Sequence, residues 1–187
     1  MEADADLVRR SQLGDHQAFA RLVEAHQAVV LRVAITMVGS GGAADDVAQD
    51  AFVKAFTRLH QFHEGRSFRA WLLTIVANEA RNRYRSESRR AAVTLRVARN
   101  PASSEDGDAA VVDPADHAIA HERRLRLAQA VAALPDRDRE VVALRFFAEL
   151  SERETAEVLG CAPGTVKSRL SRAIGRLRVE FPQEASR

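Results

Sequence analysis

Between Thr165 and Arg176, polar and basic side chains recur at helical spacing: Thr165, Lys167, Ser168, Arg169, Ser171, Arg172 and Arg176. Guanidinium and ammonium groups neutralise phosphates, while hydroxyls and arginine forks hydrogen-bond base edges, so such a stripe suits a nucleic-acid groove. From Gly160 to Glu180 there are five basic residues (Lys167, Arg169, Arg172, Arg176, Arg178) and one acidic. A second stripe is Trp71, Thr74, Asn78, Arg81, Asn82, Arg85 and Arg89, at three- and four-residue steps. Amides read base edges, arginines hold the backbone and rings stack on unpaired bases. A lone tryptophan more often belongs to a core, and that is the expectation for Trp71 by itself. A third group, Asp45, Asp46, Gln49 and Asp50, shares one helical arc with Val53. The positive end of a helix dipole accounts for Asp45 and Asp46. It accounts less well for Asp50, which lies further into the helix, where aspartate is a poor helix former. An acidic face turned to a partner protein is the sharper reading.

Other chemistries find no support. The chain has no G-x-S-x-G, no H-E-x-x-H and no Walker loop, so no catalytic constellation is expected. His117 and His121 stand at i, i+4 but lack the third ligand that a metal site needs. Gly39 to Ala44 matches G-x-G-x-x-A, a dinucleotide fingerprint, yet the apolar spacing before it is helical and no βαβ units follow. The glycines read as a turn between helices. The single cysteine, Cys161, rules out an intramolecular disulfide and a cysteine-built zinc site. No enzyme, cofactor or metal is expected.

The elements that must position these stripes are all helices. Asp6 to Leu13 is amphipathic and ends at Gly14, and Asp15 can cap the helix whose apolar positions run from Phe19 to Met37. Asp45 to Leu59 is the third helix, and Phe68 to Arg90, with Ser67 as its cap, is the fourth. Ser151 and Glu154 have capping-box spacing, Gly160 suits a left-handed C-cap, and Pro163 suits the first turn of the next helix. Val166, Leu170, Ala173, Ile174 and Leu177 then give that helix one apolar face. Helix, tight turn and basic amphipathic helix make a helix-turn-helix, whose second helix fits a DNA major groove.

The 187 residues carry a net charge of only +2 and are 46% hydrophobic, so most of the chain should fold while global charge says little about nucleic acid. Its distribution says more. Residues 71–90 hold five arginines against two glutamates, whereas residues 91–121 hold two arginines against five acids. Helical periodicity fails over NPASSEDGDAAVVDPAD, which is rich in Pro, Ser, Gly and Asp, so this part reads as an acidic, flexible linker. The expected fold is all-α: a helical domain over residues 1–90, a linker over 91–118 and a second helical domain over 119–187. The N-terminus is acidic and lacks the apolar core of a signal peptide, and no run of about 18 apolar residues is present. A cytoplasmic protein without membrane insertion is expected.

Three stretches together resemble the extracytoplasmic-function (ECF) group of bacterial sigma factors, the specificity subunits of RNA polymerase. AADDVAQDAFVKAF looks like the group's core-binding helix, FRAWLLTIVANEARNRYR like its promoter-melting helix, and residues 134–178 like its C-terminal domain almost throughout. The resemblance implies promoter recognition and local DNA melting as a dissociable polymerase subunit. Asp45, Asp46, Gln49 and Asp50 would grip the largest polymerase subunit. Asn78, with Phe62, Arg66 and nearby Lys54, would hold a flipped base of the downstream (minus-ten) element, and Arg81, Asn82 and Arg85 its backbone. Lys167, Ser168, Ser171 and Arg172 would face the upstream (minus-thirty-five) element, with Arg145 touching it from the preceding helix. Ser171 stands where a bulkier contact residue is common in the group. Phe146 and Phe147 would serve the second-largest polymerase subunit or an anti-sigma factor. Ending at Arg187, the chain leads one to expect no further regulatory domain. The alternative is a stand-alone helix-turn-helix regulator that binds duplex DNA.

Overall fold

The computed structural model describes residues 3–63, 65–94 and 114–181, without the side chains of 87–94 and 114–121. Every regular element among them is helical: α1 (Asp4–Gln12), α2 (His16–Val38), α3 (Gly42–Arg58), α4 (Phe68–Thr94), α5 (Pro114–Ala132), α6 (Asp136–Val142), α7 (Glu152–Leu159) and α8 (Pro163–Glu180). A short 3-10 turn (Leu59–Gln61) follows α3, and a π-helical turn (Ala143–Phe147) prolongs α6.

Local chemistry sets the boundaries. The Asp15 carboxylate accepts from the amides of Gln17 at 2.9 Å and Ala18 at 3.1 Å, which starts α2. Arg10 donates to the same carboxylate at 2.6 Å, and this contact holds the Asp15 carboxyl below its usual range. Between Val38 and Gly42 the chain turns through Gly39 at φ 91° and Gly41 at φ 110°, a conformation that side chains with a Cβ disfavour. The glycine-rich stretch is therefore a helix–helix turn, as its periodicity predicts. Ser67 caps α4 by accepting from the amide of Ala70 at 3.2 Å.

The four N-terminal helices pack around Leu22, Val30, Val33, Leu72, Leu73 and Val76, all fully buried. The C-terminal helices have small clusters of their own: Val131, Leu134, Val142 and Ala173 in one, Val141, Ala156 and Val166 in the other. They do not stand apart from the N-terminal helices. Ala143, Leu144, Ala148, Leu150 and Val158 belong to the N-terminal cluster, so one continuous core joins the two halves. The C-terminal helices bury only small clusters among themselves, and their remaining apolar faces are buried against the N-terminal bundle. Helix extends into both ends of the stretch that composition marks as a linker. α4 runs on through Ala91 and Ala92 to Thr94, and α5 begins at Pro114. Alanine favours helix, and proline is tolerated at a first helical position, so both ends of the compositional linker join the flanking helices. Its remainder, residues 95–113, lies outside the described residues.

Candidate nucleic-acid and partner interfaces

The helix-turn-helix is built by local bonds. The Ser151 hydroxyl accepts from the Glu154 amide at 3.2 Å, and a Glu154 carboxylate oxygen accepts from the Ser151 amide at 2.8 Å, completing the capping box. The hydroxyl of Ser151 also donates to that carboxylate at 2.6 Å, and this bond, first among its causes, keeps the Glu154 pKa below its ordinary value. Gly160, at φ 61° and ψ 41°, ends α7 in the left-handed region. The Cys161 amide bonds back to the Ala156 carbonyl at 3.0 Å, and Pro163 opens α8. Val166 and Ala173 are buried, and Leu170 and Leu177 pack beside them. That face fixes the rotation of α8. Lys167, Ser168, Ser171 and Arg172 are consequently all exposed on it.

A buried carboxylate on α6 orients two arginines of this helix. Asp138 is paired with Arg172 at 3.5 Å and with Arg176. No short-range sequence signal marks this role, because Arg176 lies 38 residues away. Arg145 lies in the π-helical turn after α6. Its guanidinium donates to the Leu150 carbonyl within the loop that follows the π-helical turn. The loop leaves that carbonyl in need of a donor, and Arg145 supplies it.

On α4, Asn78, Asn82 and Arg85 are exposed. The Asn78 side-chain oxygen accepts from Arg81 at 3.2 Å. Arg66 is exposed in the preceding loop, while Lys54 on α3 is ion-paired with Glu79 of α4. Thr74 turns back onto the Ala70 carbonyl at 2.9 Å. Phe62 is packed into a ring cluster. It is only 8% exposed and lies edge-on to Phe68 and Trp71, with ring centroids 5.9 and 5.4 Å away. Burying an aromatic ring is strongly favourable, and Gln12, donating to the carbonyls of Leu59 at 2.9 Å and Phe62 at 3.1 Å, fixes the turn that inserts it. Trp71 is partly buried on the same cluster, as a lone tryptophan is expected to be.

The acidic arc lies open on α3, with Asp45, Asp46, Gln49 and Asp50 all exposed. Asp46 accepts from Arg83 of α4 at 2.8 Å. Val53 and Phe56 are exposed on the same helix, so the arc adjoins apolar surface. Between the halves, a cleft of about 390 Å³ is lined on one side by Ala80, Arg81 and Tyr84 and on the other by Arg137, Glu140 and Cys161. No group of residues suited to a metal occurs among the described residues, and His117 and His121 lie outside the described side chains. No helix among the described residues is long and apolar enough to cross a membrane.

Two family models match the chain: Sigma-70 region 2 over residues 22–90, and Sigma-70, region 4 over residues 124–177. The ECF RNA polymerase sigma-E factor of Escherichia coli (strain K12) is 34% identical over 172 residues, covering 91% of this chain and 90% of that protein. The probable RNA polymerase sigma factor RfaY of Xanthomonas campestris pv. campestris is 33% identical over 177 residues, but the chain spans only 42% of it. Among solved structures, the sigma factor RpoE in complex with the anti-sigma factor NepR from Bartonella quintana superposes with a TM-score of 0.68. It is 27% identical and covers 88% of this chain and 98% of that one.

Proposed function

The chain belongs to the sigma-70 family of RNA polymerase sigma factors, in its ECF group, and from that membership we propose how its surfaces divide the work of starting transcription. Residues 1–90 bind the polymerase core and the downstream promoter element, and residues 119–187 bind the upstream element. The exposed acids of α3, Asp45, Asp46 and Asp50, with Gln49 between them, dock on a basic surface of the largest polymerase subunit. Charge complementarity of this kind orients the encounter and fixes register.

On α4, Asn78 and Asn82 offer amides to an unstacked base, and Arg81 and Arg85 offer guanidiniums to the backbone. Arg66 stands at the loop end of this surface. Taking a base out of the stack costs a few kcal/mol, which contacts made only to the extruded base must offset. Lys54 serves by holding Glu79 beside the helix, and Phe62 by packing the loop. On α8, Lys167, Ser168, Ser171 and Arg172 enter the major groove of the upstream element. Short Ser171 leaves room for its longer neighbours. Phe146, exposed at the end of the π-helical turn, offers a ring to the second-largest subunit or to an anti-sigma factor. An anti-sigma partner is supported by the sigma factor of Bartonella quintana, which is solved with one. The chain itself makes or breaks no covalent bond; it lends binding energy to the polymerase. Its place of work is the cytoplasm, where polymerase and promoter meet.

The observation that carries this reading is the presence in one chain of a region 2 match over α2–α4 and a region 4 match over α5–α8, with a helix-turn-helix whose first helix is capped at both ends. Run-off transcription with added core polymerase on a promoter library tests it. Specific transcripts that depend on both core and this chain are expected. Tight, sequence-specific duplex binding without core, and no transcript with it, would make the chain a stand-alone regulator.

A further inference from the structure

The two halves meet across an ion pair with the geometry of a phosphate contact. Arg81 of α4 donates from Nε to Oε1 of Glu140 at 2.7 Å and from Nη2 to Oε2 at 2.9 Å. A guanidinium presents this same two-pronged edge to a phosphate. The pair is largely removed from water, with the Arg81 side chain 26% and that of Glu140 9% exposed. The carboxylate raises the Arg81 pKa, so the guanidinium stays charged. Further contacts hold the halves together at the same place. Arg69 donates to the Ala148 carbonyl at 2.6 Å, and Leu144, Leu150 and Val158 enter the common core. Beside the pair, the cleft opens between α4 and the C-terminal half, and Arg137 and Arg169 line it.

We propose that Glu140 occupies the place of a nucleic-acid phosphate on Arg81, so that the closed chain is held off single-stranded DNA until its halves part. The inference rests on the reading of α4 as the DNA-melting helix. A carboxylate bound side-on is acceptor-only and singly charged, so it satisfies the arginine without a nucleic acid being present. Such a pair returns about as much on burial as it costs in lost hydration. It can therefore give way when a better anion or a partner protein engages either half. The arginines of the cleft then add to the attraction for an incoming backbone.

The test uses the full chain without polymerase and a fluorescent single-stranded DNA 20-mer of mixed sequence, read by anisotropy at fixed salt. Glu140→Gln keeps the size and removes the competing charge, and it should bind at least five-fold more tightly than wild type. Glu152→Gln changes net charge equally on an exposed site of α7 and should alter affinity less than two-fold. Glu140→Asp keeps the charge but shortens the reach, and should bind more tightly than wild type. Adding Arg81→Ala to Glu140→Gln should remove the gain. If neither Glu140 variant binds more tightly than Glu152→Gln, or if the gain survives loss of Arg81, the latch is overturned. Run-off transcription by the wild-type chain is a separate measurement. Its success alongside unchanged oligonucleotide binding would remove the latch and leave the sigma-factor reading standing.

Discussion

Arg172 and Arg176 share one carboxylate, Asp138, and this sharing decides what a substitution at Arg172 reports. With Arg172 removed, Asp138 keeps Arg176, so no buried charge is left bare and α8 should stay seated. Arg172→Ala is therefore expected to act on DNA and not on the fold. Loss of a contact to a guanine edge should cost about 1–3 kcal/mol and relax preference at one upstream base pair. A phosphate contact alone would lower affinity evenly across sequences and flatten the salt dependence. Selection over randomised upstream elements, with thermal melting as the control, separates these outcomes, and no change in binding would take Arg172 out of the interface. Residue roles were the least legible part of the sequence, for a physical reason. Exposed positions such as Lys167 and Ser168 follow from the periodicity of a single helix. Arg145, Phe62 and Arg81 do not, because their partners are a carbonyl of the next loop, a ring cluster and a glutamate 59 residues away. Nothing local to Asp138 or Glu140 announces their distant arginines.

Elements are more legible in the sequence than residue roles, since caps and turns are local. Asp15, Ser67, the Ser151–Glu154 box, Gly160 and Pro163 all stand at the helix ends they mark. The capping box carries a pH dependence whose sign is fixed. Folding holds the Glu154 carboxyl below its ordinary pKa, chiefly through the Ser151 hydroxyl. Its contribution is thus fully present above the unfolded-state pKa and is lost as pH falls through the lower, folded-state value. The difference in melting temperature between wild type and Glu154→Gln should be greatest near neutral pH and close on acidification. A difference that stays constant from pH 7 to pH 3 would contradict it. Ser151→Ala should cost about 0.5–2 kcal/mol, as loss of an N-cap does. On α3, Asp46→Arg combined with Gln49→Ala should weaken core binding without unfolding the chain. Both residues are exposed, and the ion pair lost with Asp46 is largely solvent-exposed and worth little. Placing a positive charge against a basic partner costs several kcal/mol. Competition for polymerase core against the wild-type chain measures it, and equal affinity would detach the acidic arc from core binding.

For the molecule as a whole, the all-α class and the two modules follow from helical periodicity, but the packing of one module on the other does not. Leu144, Leu150 and Val158 of the C-terminal module are buried in the shared core, and a hydrophobic pattern names the buried face, not the partner that buries it. The shared core sets up a conflict that function must resolve. Two promoter elements about one and a half duplex turns apart lie ~50–60 Å from each other at ~3.4 Å per step. In the closed chain, α4 and α7 are packed together through Val158 and the buried face of α4. Binding both elements at once requires the halves to part, and the covalent length between Thr94 and Pro114 limits how far. The intervening residues 95–113 can span at most ~60–70 Å when fully extended. That reach is barely more than the separation required, so length is the controlling quantity. Deleting ten residues from within 95–113 lowers the limit to ~30 Å. The shortened chain should still fold, since the core residues of both halves lie outside the deleted stretch, and should still bind polymerase core through α3. Transcription from an unaltered promoter should collapse, while restoring the length with an unrelated polar sequence should recover it. Run-off transcription with the deleted and refilled chains decides the matter: full activity from the shortened chain would mean that the two halves never engage both elements together.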